Sequence, residues 1–344
     1  MNRIATLAAT AATALMAGTA LAQAQSITIN SFGGAYEQAH RKCIIDGFEK
    51  ETGATVNIVT AYSADAFAQL RAQKDAPQFD VIHFSGGQEI VGAKEGLLSP
   101  IKDGELSNAP DLYDFAKQGM AKGEGAAYSI AVIGLLYNSE NAPKAPASWK
   151  DLLDPEFGDH VVLTDISNGY GMLGFLMLNK AEGGSLEDIQ PGLDAVTKLL
   201  EDGAIVVSTS PEIQQEFAQN DAWLAAYASD YAYTLRKAGL PAKFVQGKEG
   251  TPASFITANL VEGRDNRDLA LKFIDMEISP DAQACMANEL RYSPTNSKVE
   301  VSDEVAADLA YGQEGVKGLL RFDPTVIEAN RSAWVDQWNR TISR

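Results

Sequence analysis

"SITINSFGGAYEQAH", residues Ser26 to His40, changes its period in mid-course. Ile27-Thr28-Ile29 alternates as a short strand does. Beyond Ser31-Phe32-Gly33-Gly34 the pattern predicts a helix from Tyr36 to Glu51, with Cys43, Ile44, Gly47 and Phe48 on one face at three-to-four spacing. Thr52-Gly53 stops that helix, because glycine past the last turn accepts the left-handed conformation. The unit then repeats. Thr55 to Val59 alternates as a second strand, and Asp65 to Gln73 reads as a helix with Phe67 and Leu70 inward. Phe79 to Phe84 is a third strand, closed by Ser85-Gly86-Gly87 and a further helix. Strands alternating with helices imply a mostly parallel sheet covered on both faces.

Working outward, Met1-Asn2-Arg3 precedes an apolar stretch from Ile4 to Leu21 that ends in Ala20-Leu21-Ala22. This is the pattern of a signal peptide, residues 1–22, with cleavage near Ala22. It predicts an exported, periplasmic protein. Length allows two domains of ordinary size. The net charge of -18, with no block rich in lysine or arginine, argues against nucleic acid as a partner. The acidity suits a cationic ligand, and it equally suits plain solubility. Two cysteines, Cys43 and Cys285, leave two arrangements open: a disulfide, which an oxidising compartment permits, or two buried free thiols. His40, His83 and His160 stand singly and make no zinc-type spacing with the cysteines, so no metal is expected. His83 beside Phe84 reads as a strand residue whose polar atoms are satisfied within the fold.

In open α/β sheets, ligands collect outside the carboxyl ends of the strands. Two strands here end in serine and a glycine pair, at Ser31 to Gly34 and at Ser85-Gly86-Gly87. A third, Val161 to Asp165, runs through Ile166-Ser167-Asn168-Gly169-Tyr170-Gly171 into a helix from Met172. Glycine lets backbone approach a ligand closely, and a helix start offers unpaired N–H groups. Gly33-Gly34 lacks the spacing of a dinucleotide fingerprint, and there is no phosphate-binding Lys-Ser/Thr pair and no Gly-x-Ser-x-Gly elbow. No catalytic residue or cofactor is therefore expected.

The order of segments resembles the substrate-binding proteins of ABC importers, and within them the extracellular solute-binding group that holds the spermidine/putrescine binders. The resemblance rests on Ser31-Phe-Gly-Gly-Ala-Tyr36, Phe79-Asp-Val-Ile82, Gly96-Leu-Leu-Ser-Pro-Ile101 and Leu163-Thr-Asp165. It extends to Lys248-Glu-Gly250, Tyr292-Ser-Pro-Thr-Asn296 and, most specifically, "SWKDLLDPEF" at 148–157. It implies a two-lobed periplasmic binding protein of type II, each lobe a mixed, mostly parallel sheet flanked by helices. Lobe 1 would comprise 26–125 plus 252–344 and lobe 2 would comprise 126–251, joined by hinge strands near 126–136 and 253–261. It also implies a membrane permease of the ABC importer as partner. The final helix, with Ile327, Trp334, Val335, Trp338 and Ile342 at helical spacing, would pack on a lobe rather than touch ligand.

By position, the cleft candidates are Phe32, Gly33, Gly34 and Tyr36 from the first loop and Ser85 and Gly86 from the third. The second lobe would add Asp165, Ser167, Tyr170, Tyr227, Asp230 and Tyr231, and the C-terminal segment Tyr292. In the polyamine binders, carboxylates hold the ammonium ends and aromatic rings flank the methylene chain. Asp165 matches one such carboxylate, and Tyr36 lies in a loop that carries a family aromatic. Asp165 could instead cap the next helix, and Tyr227 and Tyr231 could be an i, i+4 packing pair. Two departures bear on the ligand: Ala228 stands where the family pattern calls for tryptophan, and 252–259 lacks a Trp-x-Asp. The expected solute is a small amine, polyamine-like or a zwitterionic amino-acid derivative. Two alternatives are weighed against it. Ferric iron would use tyrosinates from Tyr227, Tyr231 and Tyr233, though the adjacent tyrosine pair is missing. An exported hydrolase would need a nucleophile–base pair that three isolated histidines do not supply.

Overall fold

The computed structural model describes residues 25–343, so the expected signal peptide and its cleavage near Ala22 lie outside the described residues. Ten strands follow in chain order: β1 (Ser26–Ser31), β2 (Thr55–Thr60), β3 (Val81–Phe84), β4 (Ala126–Asn138) and β5 (Val161–Thr164). After them come β6 (Ile205–Val207), β7 (Leu224–Ala228), β8 (Ala242–Val245), β9 (Thr251–Leu260) and β10 (Leu319–Leu320). They hydrogen-bond in the order β2-β1-β3-β9-β4-β7-β5-β6, with β8 on β4 and β10 on β9. β1 runs parallel to β2 and β3, and β5 runs parallel to β6 and β7.

Two antiparallel strands in the middle join these parallel groups. β4 has 13 residues and is buried along its whole length, and β9 has 10. At ~3.3 Å per residue β4 spans roughly 40 Å, enough to serve two sheets in turn. Its first half pairs with β9. Its second half pairs with β7 and β8. The result is two lobes with separate cores. The first gathers Ile27, Ile29, Phe48, Val81, Tyr128 and Phe273 on one face of its sheet. Phe67, Phe79, Phe84 and Leu98 form a second layer on the other. The second lobe is built on Leu136, Trp149, Phe157, Val162, Met172 and Phe175.

The first helix is longer and less regular than its pattern suggests. It runs as Gly34–His40, a wide π-type stretch Arg41–Ile45, then Asp46–Thr52. Gly53, at φ 69°, caps it in the left-handed conformation. The π stretch carries Cys43, which is disulfide-bonded to Cys285 with Cα atoms 5.5 Å apart. Of the two arrangements left open for the thiols, the bridge is the one present. "SWKDLLDPEF" has a structural explanation. Ser148 Oγ accepts from the Lys150 amide, and Asp151 Oδ2 accepts from the Ser148 amide. The indole of Trp149, wholly buried, donates to the Gly250 carbonyl at 3.0 Å.

The chain's end departs from the expected lobe limits. Helix Pro324–Ile342, expected with 252–344 in the first lobe, contributes Ile327, Trp334 and Trp338 to the second lobe's core, with the Trp338 ring 5.6 Å from that of Phe175. The amphipathic stripe shows that the helix packs but carries no address, since either lobe offers an apolar face. The polypeptide therefore passes between lobes a third time at 321–324. There Pro324 lies so close to Gly87 that a Cβ on that glycine would fall 2.4 Å from the proline ring.

Candidate functional site

The parallel strands of both lobes deliver their loops to one cleft. In the first lobe, β1 ends at Ser31 and the chain turns through Phe32 and Gly33, whose φ of 73° admits few other residues, into the helix at Gly34. β2 ends before Tyr62 and β3 before Ser85-Gly86. In the second lobe, Asn168 caps helix Gly169–Ala181, its Oδ1 accepting from the Tyr170 amide at 2.9 Å. β7 delivers Tyr227, and Asp230 enters in the first turn of helix Ser229–Lys237.

These loops bring most of the expected residues together. The Phe32 ring lies 4.8 Å from Tyr36, which in turn lies 6.2 Å from Tyr292. Across the cleft, Tyr170 meets Tyr227 edge-on at 5.5 Å, and Tyr227 meets Tyr231 at 5.3 Å. The Tyr170 and Tyr292 hydroxyls approach each other from opposite lobes. Tyr227 shares a hydrogen bond with Ser210 Oγ at 2.5 Å, and Tyr231 donates to the Ser210 carbonyl. Tyr62 adds its ring to the rim, stacked on Phe32 at 6.3 Å and 67% exposed.

Asp230 sits among these rings. Its charge raises the pKa of Tyr170, Tyr227, Tyr231 and Tyr292 alike, adding to the larger effect of their burial. Asp230 is half-buried as a residue, but its Oδ1 is closed off from water and has no hydrogen-bond partner among the described residues. Burial pushes its carboxyl up to about 7, against which only its own backbone N–H acts. A carboxylate without a counter-charge beside aromatic faces has the chemistry to receive a cation. Tyr227 is itself pushed up to about 12 by burial, so it is a neutral phenol in the ligand-free cleft. Tyr233 has turned away, its ring under Arg291 at 4.0 Å.

Asp165 and Ser167 do not join the cage. Asp165 Oδ1 accepts from the Ser167 amide at 2.8 Å and hydroxyl at 2.5 Å, and its Oδ2 accepts from Trp338 Nε1 at 2.9 Å. The residue expected to hold an ammonium instead pins the C-terminal helix to the second lobe. Ser85 also has local partners, its amide and hydroxyl both meeting Ser63 Oγ. With Gly86 it lines a cavity of about 50 Å³ beside the cage, bounded also by Gly169, Ser254, Glu89 and Arg321.

Behind Tyr36 lies a buried polar group that sequence spacing does not reveal. Tyr36 shares a hydrogen bond with Tyr128, and both rings pack on His40. His40 Nε2 and His83 Nε2 each lie 2.8 Å from Glu277 Oε1, all three residues wholly buried. His83 Nδ1 donates to the Asn30 carbonyl at 2.9 Å, so His83 binds both of its partners as an imidazolium. Burial lowers the pKa of His83, but the Glu277 carboxylate outweighs it and the net direction is up. Burial, with a smaller push from His83, carries His40 down against the pull of Glu277, so it stays neutral. Two imidazoles and a carboxylate are donors of the kind that hold transition metals, and theirs lie within 4.8 Å of one another. Their 2.8 Å separations are those of hydrogen bonds, and protons bind the three together in this arrangement. Distant segments supply these residues, so no spacing rule finds them. Tyr62 was legible in principle, since it follows β2 as Phe32 follows β1. Glu89 sits two residues beyond the Gly86-Gly87 pair, whereas nothing local marks Arg321.

Comparison with known proteins agrees with the fold. Residues 44–313 match the family described as bacterial extracellular solute-binding protein. A spermidine/putrescine-binding periplasmic protein of Salmonella typhimurium is 26% identical over 77% of this chain and 78% of its own. A gamma-aminobutyric acid-binding protein of Pseudomonas aeruginosa is 26% identical over 94% and 89%. An ABC transporter structure from Clostridium perfringens superposes with a TM-score of 0.77 at 23% identity, covering 92% of this chain and 99% of that one.

Proposed function

The chain belongs to the family of bacterial extracellular solute-binding proteins, and from that premise we propose that it captures a small amine in the periplasm and hands it to the permease of an ABC importer. The observation that carries the reading is Asp230, an unpartnered buried carboxylate oxygen in a cage of tyrosines drawn from both lobes. An ammonium there gains a charged partner and aromatic faces together, and it returns the carboxylate to its ionised form. Tyr36 and Tyr292 come from the first lobe and Tyr170 and Tyr227 from the second. A ligand touching both sets therefore favours the closed arrangement over the open one. Moving such an equilibrium from mostly open to mostly closed needs ~5.5 kcal/mol of differential affinity.

On this reading the first lobe comprises 26–125 with 252–323, and the second 126–251 with the helix Pro324–Ile342. The hinge lies in β4 and β9. Export by the segment 1–22 supplies the compartment. The test is mass spectrometry of small molecules released from gently purified protein, followed by calorimetric titration with amines. The expected result is a primary amine in the released fraction and saturable heat with that amine. Heat from an anion and from no amine would overturn the proposal, as would a visible charge-transfer band on adding ferric iron.

A further inference from the structure

The cavity beside the cage bears on what else the solute carries. It lies between lobes, with Ser85 and Gly86 on one side, Gly169 on the other and Ser254 of β9 beneath. Its space of about 50 Å³ would hold roughly three to five waters, or one compact oxyanion. Two charged side chains face it. Glu89 is 2% exposed, its Oε1 lies 3.5 Å from Arg321 Nη2, and its Oε2 has no partner among the described residues. Arg321 stacks its guanidinium over Phe255, 4.9 Å from the ring centre, and that long contact to Glu89 is its one ion pair among the described residues. A guanidinium has five N–H donors in a planar fork. Most of this fork is unused on a side chain only about one-third exposed. Arg331, which also lines the cavity, is already bound to Glu328 at 2.8 Å.

Resting on the amine reading above, we propose that Arg321, positioned by Glu89 and Phe255, receives an acid group of the solute. The ligand is then a zwitterion with its amine in the Asp230 cage and a carboxylate or phosphonate at Arg321, not a diamine. The two sites share one cleft, because Gly169 lines the cavity while its neighbour Tyr170 faces Asp230. Burial pushes the Glu89 carboxyl up to about 7, toward the acid form that can donate a hydrogen bond to a ligand oxygen. A second ammonium would meet the Arg321 guanidinium at close range, a like-charge contact that selects against diamines.

Calorimetry on the mature chain tests this with four probes: γ-aminobutyrate, 2-aminoethylphosphonate, putrescine, and butyrate as the acid without an amine. The expected order places one of the two zwitterions ahead of putrescine. Arg321→Gln should weaken the zwitterion on the order of 10- to 100-fold, the loss of a charge-assisted hydrogen-bonding partner. Arg321→Lys should fall between, keeping the charge and losing the fork. An unchanged melting transition shows that the variants are folded. If putrescine binds wild type more tightly than either zwitterion, or Arg321→Gln changes zwitterion affinity by less than twofold, the acid site is wrong while the amine reading stands. If butyrate binds in an Arg321-dependent manner and no amine adds to it, the acid site holds and the amine reading falls. Binding of none of the four refutes both.

Discussion

Replacing Asp230 by asparagine separates stability from binding at a single atom. The Asp230 carboxyl titrates near 3.8 in an unfolded chain and is pushed up to about 7 by burial in the fold. A raised folded value means that the fold favours the protonated acid. Its contribution to stability is complete below 3.8 and is lost as pH rises through about 7. The interval is roughly three pH units at 1.36 kcal/mol each, so ionisation costs the ligand-free protein roughly 4 kcal/mol by pH 8. Asparagine keeps the shape and has no charge to bury. Asp230→Asn should therefore gain on wild type by roughly 2–3 kcal/mol between pH 5 and pH 8, since two of those units lie in that interval. Urea unfolding at the two pH values, without ligand, reads this directly. Titration with the bound amine should show the reverse. Wild type loses about tenfold in affinity per pH unit below 7, as protons compete for the carboxylate, and the variant binds at least tenfold more weakly at pH 8. A variant that binds the amine as wild type does, or whose stability relative to wild type is the same at both pH values, would refute the reasoning.

Three further outcomes follow from the packing. Replacing both Cys43 and Cys285 by serine opens a cross-link spanning 242 residues, and urea unfolding should show a loss of about 2–5 kcal/mol. Trp338→Ala removes a side chain 1% exposed in the second lobe's core and strands Asp165 Oδ2. It should cost about 3–5 kcal/mol, seen as a lower-temperature transition in calorimetry. Glu277→Gln leaves the buried His83 imidazolium without its counter-charge, and at pH 7 chemical denaturation should register a loss of about 3–5 kcal/mol.

Much of this architecture is legible in particular residues. The alternation of Thr55 to Val59 and the apolar run from Ala126 to Leu136 have one reading each, because period and burial leave no competitor. Tyr36, Tyr170 and Tyr227 stand at or just beyond strand ends, where the general rule for α/β sheets places ligands, whereas Tyr292 follows a helix. Asp165 shows where that rule stops. Position alone cannot tell a carboxylate facing the cleft from one bonded to an indole 173 residues away. Glu89 and Arg321 are brought together across 232 residues by the pairing of β10 with β9, and that pairing leaves no periodic trace. The cysteines were undecidable for a similar reason: a disulfide depends on Cα separation, which belongs to the fold and not to the sequence interval.

The third passage of the chain between lobes has a mechanical consequence. Two strands crossing a joint define an axis and resist twisting about any other line only through their own stiffness. A third connection, running on from the pairing of β10 with β9, with Pro324 seated on Gly87 and Trp338 anchored to Asp165 at its far end, would restrict the freedom that two leave. On the reading proposed above, opening would bend β4, β9 and the short link at 321–323 together. Arg321 lies on that link, so the residue that would grip the solute's acid group also sits where the joint must bend, and occupancy of the cleft would stiffen the joint itself.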